Sequence, residues 1–387
     1  MKNTSSLVFT GDIGFDRYMF GQWNDPGFIS PEILAFLHSA DHVIPNVEGP
    51  IFEAPKNEIT SGVQQLLHTI SPEAVKVLEN MGADIWNICN NHIMDARGPG
   101  VRSTLYIAAE CGARTIGAGM NLADASAPVI IDEAGGIGLF GVGYARGCWE
   151  ATEDGPGCLR WNRLDIIQQN INKIKQTCRW CVIVAHAGEE FTSLPNPYTR
   201  ERYHKYLEMG ADAVVAHHPH VPMNYETVGE KYIFYSLGNF IFDTDYQRSQ
   251  FNTEKGVAVK LTFTENSIGF EPMGIKINRE NEHIEKADLP LIFTDVQSTD
   301  YNLLVPLSAK AFIAATKRQM TFLKPEEFAG ADEAKWEEHF SDEKRTGRVP
   351  GEALDFFLIR PLAAEAEKGE WKKSGLENVK KYILEQM

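Results

Sequence analysis

An α/β fold with a helical C-terminal segment follows from three features of the chain. Short apolar, β-branched runs alternate with helical patterns between residues 6 and 217, the pattern of strands connected through helices. From residue 225 strand patterns follow one another with only short turns between them, which predicts an antiparallel addition. From about residue 305 helix formers and charges take over.

The expected strands are "SLVFTGD" (6–12), "HVIPNVE" (42–48), "DIWNICNNH" (84–92), "IGLFGVG" (137–143), "WCVIVAH" (180–186) and "ADAVVAH" (211–217). Their near-continuous apolar character is that of buried strands. Among the helices between them, "SPEAVKVLENMG" (71–82) opens on a Ser-Pro-Glu start signal and closes on Gly82. "RLDIIQQNINKIKQ" (163–176) repeats its isoleucines at helical spacing, and "TRERYHKYLEMG" (199–210) again ends on glycine. The antiparallel part comprises "YETVGEKYIFYSLGNFIFD" (225–243), "KGVAVKLTFTEN" (255–266) and "SIGFEPMGIKIN" (267–278). "SAKAFIAATKRQ" (308–319), "DEAKWEEHF" (332–340) and "GEALDFFLIRPLAAEAEKGEW" (351–371) are expected to be helical. The predicted organisation is a main domain over 1–300 and a helical extension over 301–387 packed on it.

Composition narrows the function classes. The chain has 387 residues, is 43% hydrophobic and 23% charged, and carries a formal net charge of −16. That charge excludes a nucleic-acid backbone as partner, because phosphate binding needs clustered Lys and Arg. The opening "MKNTSSLVFTGD" lacks the basic and long apolar regions of a signal peptide. No run approaches the roughly 18 uninterrupted apolar residues of a membrane span. Cys89, Cys111, Cys148, Cys158, Cys178 and Cys181 are scattered, and "CRWC" (178–181) has no second CxxC to complete a zinc or redox motif. Reduced thiols and a cytoplasmic location are the expectation. Nothing in the composition fixes the oligomeric state.

The chemistry is concentrated where the apolar runs end. Asp12 closes the first, Asn46 and Glu48 the second, and Asn90, Asn91 and His92 the third. His186 closes a later one, and His217, His218 and His220 follow the last. Singly, each has a bland explanation: a turn aspartate, a turn at "NVEG", an Asn-rich cap, a hydrogen-bonded core histidine. Together they point to a metal centre, because strand C-terminal ends in α/β sheets converge on a ligand crevice. Carboxylate, amide oxygen and imidazole suit hard or borderline divalent ions. Two such ions can share a bridging carboxylate and activate water. In an extended segment His218 and His220 would face the same side, and His217 would point away.

At these residues the sequence resembles the CapA family of capsule or poly-γ-glutamate synthesis proteins, whose fold is similar to calcineurin-like metallophosphoesterases. The motifs run in order over about residues 6–245: "GDIGFDR", "NVEGPI", "NNHIMD", "IGAGMNLADASAP", "HAGEEF", "GADAVVAHHPHV" and "YSLGNFIFD". The resemblance implies layered sheets flanked by helices, and one or two divalent ions (Mn, Fe or Zn). It implies metal ligation by Asp12, a bridging role for Glu48, and ligation by Asn91, His186, His218 and His220. His186 and His218 would serve one ion and His220 the other. His92 would be the acid–base residue, oriented by Asp95, while Arg17, Asn46, Glu189, Glu190 and Asn239 would face substrate.

The chain departs from the family pattern at several positions. Ala187 stands where the family commonly has Trp, Ala216 where it has Gly, Met223 where Gln is frequent and Arg97 where it has Gly. Gly14 occupies the place of the second ligand in the phosphoesterase Asp-x-His. The implied function is a capsule or poly-γ-glutamate biosynthesis role, as a metal-dependent hydrolase on polyglutamate or another cell-envelope substrate. Two alternatives are a phosphoesterase acting on a nucleotide or phospho-sugar and a non-catalytic factor binding the polymer or its synthase.

Overall fold

The computed structural model describes residues 3–53, 67–144 and 148–345. Within them the strands are β1 (Thr4–Ile13), β2 (His42–Val47), β3 (Ile85–Asn87), β4 (Arg114–Ile116), β5 (Ala118–Gly119), β6 (Val129–Ile131), β7 (Ile137–Tyr144) and β8 (Gly157–Cys158). They continue with β9 (Trp180–Ala187), β10 (Ala213–His217), β11 (Tyr225–Val228), β12 (Lys231–Phe234), β13 (Asn239–Ile241), β14 (Lys255–Thr264), β15 (Ile268–Asn278) and β16 (His283–Ala287).

Two mixed sheets result. The larger runs β16-β15-β14-β1-β2-β3-β4, and the smaller runs β11-β12-β10-β9-β7-β6; β5 and β8 pair separately. In the larger sheet β1 changes neighbour along its length. Thr4 to Phe9 pair antiparallel with β14, and Asp12 then pairs with Asn239 of β13. In the smaller sheet β7, β9, β10 and β12 are parallel. The sheets face each other across Leu7, Phe9, Ile44 and Ile85 on one side and Leu139, Val182, Val184 and Val215 on the other.

Helices cover the outer faces. The helix Leu164–Thr177 buries Ile167, Ile171 and Ile174, spaced to share one face. Each contributes roughly 1.5–3 kcal/mol of apolar burial. Its close seating depends on Gly138 of β7, where a Cβ would lie 2.4 Å from Ile174. The helix Pro197–Met209 buries Tyr203, Tyr206 and Leu207, and stops at Gly210 with φ 118°. The result is a helix–sheet–sheet–helix sandwich.

The helical region beyond the sheets begins with Ser298–Leu323. Tyr301, Leu304, Leu307 and Ala311 bury themselves against Leu194, Ile292 and Val296. Ala315 packs on Phe191 and Val221. Shorter helices, Pro325–Phe328 and Glu333–Arg345, follow. The expected helix at 351–371 lies outside the described residues.

Three sequence expectations are modified. "DIWNICNNH" is a strand only over Ile85–Asn87, because Asn90 turns its amide onto the Val47 carbonyl at 2.7 Å and the chain leaves the sheet. The helix at 71–82 begins with a tight turn over Pro72–Ala74 and becomes α-helical over Val75–Asn80. The antiparallel addition is divided: β11 pairs β12 on the smaller sheet, whereas β14, β15 and β16 extend the larger one.

Candidate metal centre

Strand register brings the polar residues into one place. Asp12 lies opposite Asn46, and Asn46 opposite Asn87, in adjacent strands of the larger sheet. In the smaller sheet His186 lies between Gly143 and His217. The carboxyl ends of both sheets therefore meet on one edge of the sandwich. Asp12, Asn46, Glu48, Asn91, His186, His218 and His220 are all buried there.

Glu48 is the focus. Its Oε1 lies 3.6 Å from His186 Nε2, 3.6 Å from His220 Nε2 and 3.9 Å from His92 Nε2. Among the described residues no donor reaches either carboxylate oxygen, and His218 Nδ1 is likewise without a partner. Two donor groups close enough to hold an ion share this carboxylate: Asp12, Glu48 and His186, and Glu48, His218 and His220. A fully buried carboxylate without hydrogen bonds is costly, and a cation among oxygen and imidazole donors removes that cost. The residues present fit one or two divalent ions.

The shell around them is ordered by amides and carboxylates. Asn46 donates to Asp12 Oδ1 at 2.8 Å and to His186 Nδ1 at 3.2 Å, and is itself held by Asn87 at 2.7 Å. His186 Nε2 and Asn91 Oδ1 lie 2.8 Å apart. His220 Nδ1 donates to Asn239 Oδ1 at 2.9 Å, leaving Nε2 for the centre. His92 Nδ1 donates to Asp95 Oδ2 at 2.8 Å. Such partners fix ring orientation and tautomer.

His218 and His220 reach the centre by a route other than strand alternation. Their φ angles are 98° and 57°, in the left-handed region that side chains other than glycine seldom occupy. The chain turns sharply after β10, and the His218 amide donates to Asp12 Oδ2 at 3.3 Å. Strain of this kind persists where surrounding contacts over-determine it. His217 points away, as expected, with Nε2 on the Thr10 carbonyl at 2.9 Å.

Charges in the cluster respond to burial and to one another. Burial pushes the Glu48 carboxyl well above its ordinary range. Burial also opposes charge on His220, but Glu48 and Asp12 outweigh it and lift that imidazole to about 10. His218 falls to about 3 through burial and the His220 charge, and His92 and His186 are lowered for the same kinds of reason, so these rings are neutral donors. Burial raises Asp95 to about 6, even though the His68 amide stabilises its charge.

Several expected positions turn out differently. Asn46 and Asn239, expected to face substrate, are buried and hydrogen-bond to Asp12, His186 and His220. Glu189 takes the Asn196 amide at 3.3 Å and the Thr199 hydroxyl at 3.3 Å, so it caps the helix Pro197–Met209. The rings of His186 and His218, expected to serve one ion, lie 4.9 Å apart, and those of His218 and His220 lie 6.0 Å apart. Glu190 is part-buried and adds negative potential at Glu48 and His220. Arg17 is exposed, with φ 51°. At Gly14 a Cβ would meet the Phe242 ring at 2.7 Å, so aromatic packing occupies the space of the missing second ligand. Arg97 adopts φ 57°, a conformation natural to the glycine the family carries there.

Sequence reasoning missed His68. Its ring meets His92 edge-on at 4.3 Å and Phe242 at 5.0 Å. Its Nδ1 donates to Asp16 Oδ2 at 2.8 Å, and its amide donates to Asp95. A lone histidine outside every strand-end pattern gave no signal, although Asp16 within "GDIGFDR" was a clue.

Comparison with known proteins identifies a family. The chain matches the family model "Bacterial capsule synthesis protein PGA_cap" over residues 6–244. It is 27% identical over 254 residues to the capsule biosynthesis protein CapA of Bacillus anthracis, covering 63% of this chain and 61% of that protein. It thus spans about three fifths of that relative's length. With the PGA biosynthesis protein CapA of Bacillus subtilis it shares 30% identity over 290 residues, covering 73% of this chain and 74% of that one. A solved hypothetical protein from Thermus thermophilus aligns with TM-score 0.41 and 13% identity, over 73% of this chain and all 100% of its own. With its matched segment covering more than half of the chain and every residue of the cluster, the chain belongs to the PGA_cap family of bacterial capsule synthesis proteins.

Proposed function

We propose that this chain is a metal-dependent hydrolase of capsule or poly-γ-glutamate biosynthesis type, acting on polyglutamate or a related cell-envelope substrate. The observation that carries the reading is Glu48: a buried carboxylate without a hydrogen bond, facing His92, His186 and His220. Divalent ions of the Mn, Fe or Zn class, held by Asp12, Glu48, Asn91, His186, His218 and His220, would supply Lewis acidity and lower the pKa of water.

The protein's own residues then divide the work. Asn46 and Asn239 hold His186 and His220 in register, through the hydrogen bonds already described. His92 is neutral, keeps its Nδ1 proton on Asp95, and can take or give a proton at Nε2. Asp95 stabilises the imidazolium formed in between. The name of the Bacillus subtilis relative, a PGA biosynthesis protein, supports such a polymer as the substrate. A chain of net charge −16 repels a polyanion, so binding to such a polymer depends on cations in the cleft and weakens without them. With no disulfide among the described residues, a reducing, cytoplasmic setting suits the protein. No helix among the described residues is long and apolar enough to cross a membrane.

The test is turnover by reconstituted protein. Manganese-, iron- or zinc-loaded protein is given poly-γ-glutamate, γ-glutamyl peptides and a panel of phosphate esters. Shortened polymer or cleaved γ-glutamyl bonds support the proposal. Ester cleavage alone moves the assignment to a phosphoesterase, and bound but unchanged polymer to an accessory factor. Absence of bound metal after reconstitution defeats all the catalytic readings.

A further inference from the structure

Besides the donors around Glu48, the upper centre, the fold gathers a group made of sulfur. The Sγ atoms of Cys89, Cys148 and Cys158 all lie within 4.8 Å of one another, and all three residues are buried. They come from separate parts of the chain: the turn after β3, the segment after β7, and β8. Gly143 leaves the space they fill, since a Cβ there would lie 2.7 Å from Cys148 Sγ and 2.8 Å from Cys89 Sγ. Two backbone carbonyls already lie against the sulfurs, Asn90 O at 3.6 Å from Cys158 Sγ and Leu159 O at 3.8 Å from Cys89 Sγ.

We propose that Cys89, Cys148 and Cys158 form a distinct site for a thiophilic divalent cation of the zinc class. Tetrahedral zinc with bonds of about 2.3 Å to sulfur places its sulfurs about 3.8 Å apart, and a fourth oxygen ligand about 3.6 Å from them. The three sulfurs, all within 4.8 Å of one another, need draw in by no more than about 1 Å to reach that spacing. Binding is balanced as three thiols and one divalent ion giving three sulfur–metal bonds and three protons released to solvent. The product carries one negative charge, and the Arg160 guanidinium, on the Cys148 carbonyl at 2.7 Å, lies beside it. Oxygen and imidazole donors select differently from thiolates, so the two centres need not hold the same metal.

The site has a structural consequence for the upper centre. Cys89 directly precedes Asn90, Asn91 and His92, and Cys158 donates to the Asn90 carbonyl. An ion on the three sulfurs pins the turn that presents Asn91 and His92. This inference stands independently of the hydrolase reading.

Cobalt(II) added to chelator-stripped protein tests it, because sulfur-to-cobalt charge-transfer absorption arises only from thiolate ligands. The expected result is such a band, saturating at one equivalent per chain and lost when zinc is added. It should disappear in Cys158→Ser and persist in His218→Ala, whose lesion lies in the upper centre. A band retained in folded Cys158→Ser overturns the proposal. If the serine variant does not fold, the wild type decides alone: folded, cobalt-treated protein without sulfur charge transfer also overturns it.

Discussion

Replacing Glu48 with glutamine changes almost nothing but charge, and it should reverse the stability order of the metal-free and metal-loaded proteins. In the wild type both Glu48 oxygens are buried without donors, which costs about 1–3 kcal/mol. The amide in Glu48→Gln can donate to His92 Nε2, 3.9 Å from the present Oε1, and to His220 Nε2, 3.6 Å from it, once the charge that lifts His220 is gone and that ring is neutral. In chelator the variant should therefore be more stable by about 1–3 kcal/mol. With metal at a hundred times its dissociation constant the wild type gains about 2.7 kcal/mol, and the variant much less. Acidity adds a second signature. Glu48 and His220 are both raised in the folded state, from ordinary values of 4.5 and 6.5. The stability each proton contributes is fully present below that ordinary value and is lost as pH rises above it, for His220 through about 10, at no more than about 1.4 kcal/mol per unit for one proton. The variant lacks the carboxylate charge that lifts His220, so its profile should be flatter between pH 7 and 9. Urea unfolding followed by circular dichroism, in chelator and in manganese, measures all three quantities. A variant that is less stable in chelator, yet gains as much from manganese as the wild type, would refute the cation cage.

Asp95→Asn should lower turnover about 10²–10⁴-fold by removing the charge behind His92, with metal content by elemental analysis unchanged. Asn239→Ala frees the His220 ring, and metal affinity measured by competition with a fluorescent chelator should weaken about 10–100-fold. Leu304→Ala empties a fully buried position between the helix Ser298–Leu323 and the body. It should cost about 2–5 kcal/mol in the same urea assay; a cost below about 0.5 kcal/mol, the range of surface changes, would mean that the helix does not rest there.

What was legible in the sequence is what strand ends reveal. A buried strand is a short apolar run, and a polar residue at its end is conspicuous, so Asp12, Glu48, Asn91, His186 and His218 stood out. Which sheet each strand joins is decided by long-range pairing that no local pattern records, and the division into two facing sheets came only through the family likeness. Roles that depend on a side chain's partner were equally hidden. Glu189 seemed to face the cleft because it follows "HAG", but a helix N-terminus ten residues away takes its carboxylate. The His218–His220 spacing suggested an extended segment, and two left-handed residues deliver the rings instead. The three clustered cysteines are far apart along the chain, and their convergence needed the fold.

The arrangement of β1 has a practical corollary for anyone isolating this domain. The segment recognisable by kinship stops at residue 244, yet Thr4 to Phe9 zip onto β14, Lys255–Thr264, beyond that limit. A protein cut at the kinship limit would expose the flank of the strand bearing Asp12, an open edge that invites chains to stick together. The heritable module is thus shorter than the piece that must fold, and transplanting one without the other should yield aggregate.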